Sequence, residues 1–275
     1  MLISYVVGAL IGAILGLTGA GGSVLAVPML IQIFHLSPHD AMGISLGVVS
    51  ASAIFGVFTK IRSAQIEWLP AILYSCVGGL FSPLGIILNK QLNANYLMAG
   101  FLCIVFFVCL RLWLQASAYP SEAKIVRSSL ERNQTKNKTV CNNYKILSNG
   151  ITANCFIWMS IGAAITGLLS GIFGVGGGFL IVPTLLKITG MHIRQAIATS
   201  LVIISVVSLT GFISFTSSAD FLDINLFAKL AIGSIFGMLF GILVSNYITG
   251  PTLQKVFSML LFVTALQTAV FTILN

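Results

Sequence analysis

One unusual stretch occurs twice in this 275-residue chain. Gly16 to Leu46 and Gly171 to Leu201 align without a gap at an offset of 155 residues. Gly16/Gly171, Gly19/Gly174, Gly21/Gly176, Gly22/Gly177, Val27/Val182, Pro28/Pro183, Ala41/Ala196 and Ser45/Ser200 are identical pairs. A glycine cluster that interrupts a hydrophobic segment at corresponding places in two halves marks a transporter binding site between internal repeats. The chain is therefore read as two units of like construction, and moving a solute is favoured over chemistry.

Composition sets the solvent those units fold in. Hydrophobic residues make up 57% of the chain and charged residues 7%, with mean hydropathy +1.03. An ordinary soluble domain carries about 25% charged residues, so this chain belongs in a lipid bilayer. Its formal charge is +8, but Lys124, Arg127, Arg132, Lys136, Lys138 and Lys145 lie in one segment. That clustering reports membrane orientation, and no nucleic-acid partner is expected. Five cysteines without a CxxC pair are expected to be reduced and structural. The N-terminal MLISYVVGALIG lacks the basic start of a secretory signal and is read as retained.

A bilayer-spanning helix needs about 20 apolar residues. Apolar stretches run from Leu2 to Phe34, Ala41 to Phe58, Trp68 to Leu88, Tyr96 to Leu114, Ala153 to Ile188, Gln195 to Phe215, Leu226 to Ile248 and Thr252 to Leu274. The predicted fold is an all-α polytopic membrane protein of two homologous repeats, residues 1–117 and 153–275, each with about four helical segments. Residues 118–152 form a polar, basic linker between them.

The first segment of each repeat is too long for one helix and is broken at its glycines. Non-helical backbone within a bilayer is tolerated only where protein buries it or where it lines a wet cavity. Each break is either a kinked single crossing or a hairpin. Lys and Arg accumulate in cytoplasmic loops, and here the bias swaps between halves. The loop at His35 to Asp40 has none while its partner has Lys187 and Arg194; the loop after Thr59 has Lys60 and Arg62 while its partner has only Asp220 and Asp223. With a cytoplasmic linker and two hairpins, Lys60, Arg62, Lys187, Arg194 and Lys255 fall inside. The charges thus favour inverted repeats built on broken hairpins.

The paired GAGGS and GVGGG motifs, each followed by an apolar run and a proline, then Ala41 to Leu46 (AMGISL) and Ala196 to Leu201 (AIATSL), resemble the TauE/SafE sulfite exporter family. The resemblance covers essentially the whole chain. It implies export, or less often uptake, of a small sulfur-containing anion, such as sulfite, thiosulfate or an organosulfonate, across a bacterial cytoplasmic membrane, with another small anion or solute as the alternative substrate. The second motif of the family commonly reads Gly-Thr-Ser, where this chain has Gly43-Ile44-Ser45 and Ala198-Thr199-Ser200.

The residues give their own reason to expect an anion. A helix N-terminus presents unpaired N–H groups and partial positive charge, which bind an anion without Lys or Arg. Gly21, Gly22 and Ser23, and Gly176, Gly177 and Gly178, stand where the second half-helix of each break begins. Gly19 and Gly174 complete the turns, and Thr18, Ser23, Ser45, Thr199 and Ser200 offer hydroxyl donors. These twelve residues are the candidate substrate site. Simpler roles compete: the glycines as tight turns, and Ser45 and Ser200 as hydroxyls bonded to backbone carbonyls. Gly8/Gly12/Gly16, Gly78/Ser82 and Gly233/Gly237/Gly241 read as helix-packing faces.

No catalytic residue, cofactor or metal is expected. An embedded enzyme would need a nucleophile with its base, a metal cluster or a perturbed carboxylate pair, and His39-Asp40 is the one candidate pair. A non-transporting membrane subunit is the third class considered.

Overall fold

The computed structural model describes residues 2–19, 22–61, 66–118, 153–191, 193–217 and 223–245, with the single positions 259 and 266. Among these residues there are nine helices: α1 Leu2–Thr18, α2 Gly22–Phe34, α3 Pro38–Ile61, α4 Trp68–Gln91, α5 Ala94–Ala118, α6 Ala153–Phe173, α7 Gly178–Thr189, α8 Ile193–Thr216 and α9 Ile224–Ser245. Five are long and apolar enough to cross a membrane, within α3, α4, α6, α8 and α9. The chain is a multi-pass membrane protein. Seven of the eight apolar stretches coincide with helices, and the two long ones each resolve into a pair. The eighth, apart from helical Met259 and Leu266, lies outside the described residues, as do linker positions 119–152.

Both breaks are turns at which the chain doubles back. A Cβ built on Gly22 would lie 2.9 Å from Ile11 O, and one on Gly177 would lie 3.1 Å from Thr166 O. Midway along α7, Thr184 Cγ2 is 2.9 Å from the Cβ position of Gly162. At a rise of 1.5 Å per residue, a helix continuing past Thr18 would carry Gly22 more than about 15 Å from Ile11. Contact across that interval requires a hairpin. Pro28 and Pro183 sit inside the returning helices α2 and α7.

Small residues set which helices run side by side. The Gly8/Gly12/Gly16 face of α1 lies on Leu230, Ser234 and Met238 of α9, while Gly233, Gly237 and Gly241 of α9 lie on Tyr5, Ala9 and Ala13 of α1. Both series rise together, so these helices are parallel. The seam is too close for another methyl: a Cβ on Gly12 would be 2.6 Å from Ser234 C. In the same way, Gly78, Ser82 and Gly85 of α4 run parallel to Gly167 and Gly171 of α6. Lipid gives helices no hydrophobic reason to associate, so such close backbone approach supplies the dispersion contact that holds them.

Helices α3 and α8 pass through the middle of the bundle and are the most buried of the five. Gly43 faces Phe215, Gly47 faces Phe212 and Gly56 faces Leu201. One series rises as the other falls; α3 and α8 are antiparallel. Around them α4 packs on α8 and α9 on α3, with α2 against α3 and α7 against α8.

Cys76, Cys103 and Cys109 are not disulfide-bonded, whereas Cys155, in the first turn of α6, is. The expectation of five reduced cysteines is corrected at that position. An odd count forbids complete pairing but does not forbid a bridge.

Candidate functional site

The second turn can be built up atom by atom. Helix α6 ends at Phe173, and Gly174 N donates to Ser170 O at 2.9 Å. Gly174, Gly176 and Gly177 then take φ of +66°, +67° and +67°. The left-handed region costs an L side chain about 1–2 kcal/mol per residue, so a chain that reverses this sharply needs glycine there. Gly177 is the N-cap of α7 and carries no side-chain cap; its carbonyl accepts from Leu180 N at 3.0 Å and Ile181 N at 3.2 Å. Among the described residues, the amides of Gly176 and Gly177 have no hydrogen-bond acceptor.

The tip of this turn reaches the middle of the membrane. From the Cβ position of Gly176, Val49 Cγ1 is 3.2 Å away and Ile204 Cγ2 3.7 Å away. Val49 and Ile204 are halfway along the 24-residue helices α3 and α8. At about 36 Å each, those helices span a hydrocarbon core of about 30 Å, which sets their midpoints near the bilayer centre.

The first turn follows the same plan as far as it is described. Gly19 has φ of +70° and its N–H donates to Leu15 O at 2.7 Å. Gly22 and Ser23 open α2 and are fully enclosed. Gly21 lies outside the described residues.

The candidate hydroxyls fall into a reciprocal arrangement. Ser45 Oγ, on α3, donates to Met42 O at 2.8 Å and contacts Gly174 O. Ser200 Oγ, on α8, donates to Ile197 O at 2.9 Å and reaches Gly19 O at 3.3 Å. Each half thus clasps the glycine turn of the other. Thr18 Oγ1 bonds Ile14 O at 2.7 Å within α1, and Thr199 Oγ1 accepts from Glu67 N at 3.2 Å. Glu67 Oε1 in turn accepts from Gln195 Nε2 at 3.3 Å. Ser45, Thr199 and Ser200 are all fully buried. Serine clasps at these two positions join Gly19 and Gly174 across the centre of the protein, while Thr18 and Thr199 lie one residue to the side.

Two residues beside the second turn were not among the sequence candidates. Ser170, on α6, and Ser208, on α8, have no solvent exposure, and their hydroxyls have no hydrogen-bond partner. Ser208 Oγ is 2.8 Å from the Cβ position of Gly176, and Ser170 Cβ is 3.5 Å from that of Gly177. The signal was present in the alignment of the halves as a difference: Leu15 stands opposite Ser170 and Ala53 opposite Ser208.

His39 and Asp40 do not form a catalytic pair. His39 Nδ1 is 2.8 Å from Asn89 Oδ1, and Asp40 Oδ2 accepts from Ser37 Oγ at 2.7 Å while Asp40 N donates to Ser37 Oγ at 3.2 Å. Their side chains are engaged with different partners, Asp40 in the first turn of α3 and His39 against the end of α4. Asn89 also donates to Ile172 O, so this polar group ties α3 and α4 to the end of α6.

Comparison with known proteins agrees with this architecture. The family model for the sulfite exporter TauE/SafE matches residues 4–268. A "probable membrane transporter protein" of Xylella fastidiosa (strain 9a5c) is 29% identical over 262 residues, covering 94% of this chain and 91% of the relative. Probable membrane transporter protein YunE of Bacillus subtilis is 26% identical over 280 residues, with 96% of each chain covered. A further probable membrane transporter, from Methanocaldococcus jannaschii, is 25% identical over 269 residues, covering 93% of this chain and 90% of its own. No solved structure matches the chain. A match over nearly the full length, on a bundle of spanning helices with glycine hairpins at its centre, places the chain in the sulfite exporter TauE/SafE family of membrane transporters, and not among enzymes.

Proposed function

We propose that this protein is a secondary transporter that exports a small sulfur oxyanion, sulfite, thiosulfate or an organosulfonate, across a bacterial cytoplasmic membrane. The observation that carries the reading is the second glycine turn. Two amides without acceptors, at the start of a 12-residue helix, are held against the midpoints of α3 and α8. N–H groups can only donate, so their complement is an acceptor, and a helix N-terminus favours a negative one. A site of neutral donors also releases its ligand more readily than one with a fixed cation, as turnover requires.

The two halves are proposed to be inverted repeats. Three features support this. Helix bounds correspond at the 155-residue offset, α3 Pro38–Ile61 with α8 Ile193–Thr216. The packing pairs exchange under that correspondence, α1 with α9 matching α6 with α4. Equivalent helices α3 and α8 are antiparallel, which a two-fold axis in the membrane plane produces and parallel halves do not. Alternating access would then rock one half against the other about the central turns. Within this reading Gly21, Gly22, Ser23, Gly176, Gly177 and Gly178 face the anion, while Gly19, Gly174, Ser45 and Ser200 hold the turns in place. Thr18 and Thr199 flank them.

The deciding experiment is efflux from proteoliposomes containing the purified protein and loaded in turn with sulfite, thiosulfate, sulfoacetate, sulfate, a carboxylate or chloride. Protein-dependent efflux of the sulfur oxyanions supports the proposal. Flux confined to the carboxylate or chloride would replace the substrate, and no flux of any of them would remove the transport reading.

A further inference from the structure

The geometry points to an asymmetric substrate site, in which the α6–α7 turn is the principal oxyanion-binding element and Ser170 and Ser208 are its side-chain donors. This deepens the anion-transport reading above and rests on it. Among the described residues, four polar groups of residues at that turn have no partner: the amides of Gly176 and Gly177 and the hydroxyls of Ser170 and Ser208. All four residues are buried. A hydroxyl left unpaired in an apolar interior carries its full desolvation penalty, and each additional one at the same place makes an absent acceptor more strongly indicated. The group that satisfies four donors together is one with several acceptor oxygens on a single centre, as in sulfite, thiosulfate or a sulfonate headgroup.

Among the described residues, the first turn has no unpartnered hydroxyl beside it. Its repeat-equivalent positions are Leu15 and Ala53, both fully buried and both apolar. Ser23 also stands at the first turn, opposite Gly178, but among the described residues the unpartnered buried hydroxyls beside a glycine turn, Ser170 and Ser208, belong to the second. The second turn therefore supplies the larger share of the affinity, and the first turn completes the site around the anion. Burial of the four groups also means that the pocket is closed here; an anion reaches it only when α3 or α8 withdraws from the turn.

The test uses full-length purified protein titrated calorimetrically with sodium sulfite and with sodium thiosulfate, alongside thermal unfolding without ligand. Ser170→Ala and Ser208→Ala are each expected to weaken binding about two- to twelve-fold, the loss of one hydrogen bond. Neither should lower the ligand-free melting temperature, because each removes a hydroxyl that has no partner in the protein. Ser160→Ala, on the same helix as Ser170 and also unpartnered, should bind as the parent does. Normal binding by Ser170→Ala and Ser208→Ala, with binding lost in Gly176→Val, would overturn the hydroxyl assignment and leave the glycine-turn reading standing. Weakened binding that is matched by a lowered ligand-free melting temperature would also overturn it, by showing a structural role. Failure of the parent protein to bind either anion would overturn both.

Discussion

Replacing Gly176 by alanine separates the cost of folding from the cost of binding. The new methyl would sit at φ of +67°, 2.8 Å from Ser208 Oγ and 3.2 Å from Val49 Cγ1. The backbone term is about 1–2 kcal/mol, and both crowded atoms are side-chain ends that can give by a few tenths of an ångström. A total destabilisation of about 1–3 kcal/mol leaves a protein of ordinary stability, about 5–15 kcal/mol, folded. Binding has no such reserve, because the methyl occupies the space between the turn and Ser208 and moves the amide that is to meet the anion. Affinity should fall more than about tenfold, or 1.4 kcal/mol, and efflux with it. Gly79→Ala is the control: its Cβ meets only Thr210 and Val206, at 3.6 Å and beyond, with no unusual φ. Melting temperature in detergent and sulfite efflux in proteoliposomes are measured on both. A Gly176→Ala protein that folds, inserts and carries sulfite at the parent's rate would refute the argument that this turn meets the substrate.

Four further outcomes follow from the same reasoning. In a cysteine-free background, cysteines at Pro38 and Ile193 should label from opposite membrane faces, and labelling of both from one face would restore parallel halves. A cysteine replacing Ser129 fixes the linker's side: its Lys and Arg residues predict the cytoplasm, whereas the disulfide at Cys155 would persist only in an oxidising compartment, so exterior labelling would reverse the orientation. Ser45→Ala and Ser200→Ala each remove a clasp on the opposite half's turn and should destabilise the protein by about 1–2 kcal/mol, read by thermal unfolding; an unchanged melting temperature in both would show that the clasps carry no load. Gly12→Ala, which drives a methyl into the backbone of α9, should cost about 1–3 kcal/mol of stability while leaving the order of substrate preference unchanged.

Helix existence was legible in the sequence because each spanning helix satisfies its own backbone and must be apolar for its whole length. The two breaks were legible because glycine takes positive φ at little cost, and Gly174, Gly176 and Gly177 occur where an apolar run exceeds one crossing. Pairing of helices was not. Gly8/Gly12/Gly16 and Gly233/Gly237/Gly241 each announce a face that something approaches closely, yet spacing carries no label for the partner, and their meeting along α1 and α9 is a property of the bundle.

The same distinction separates the parts of the site. Residues common to both halves, such as Ser45 and Ser200, were found by alignment, and their hydroxyls reach turns 129 and 181 residues away in sequence. Identity between halves selects what the repeated architecture needs, which is the turn and its clasp. A substrate is not repeated. Groups that grip a single anion need not be alike in the two halves, so its side chains are also to be sought where a hydroxyl in one half faces an apolar residue in the other. Ser170 against Leu15 and Ser208 against Ala53 meet that criterion, and the structure sets both beside the turn whose amides are without acceptors.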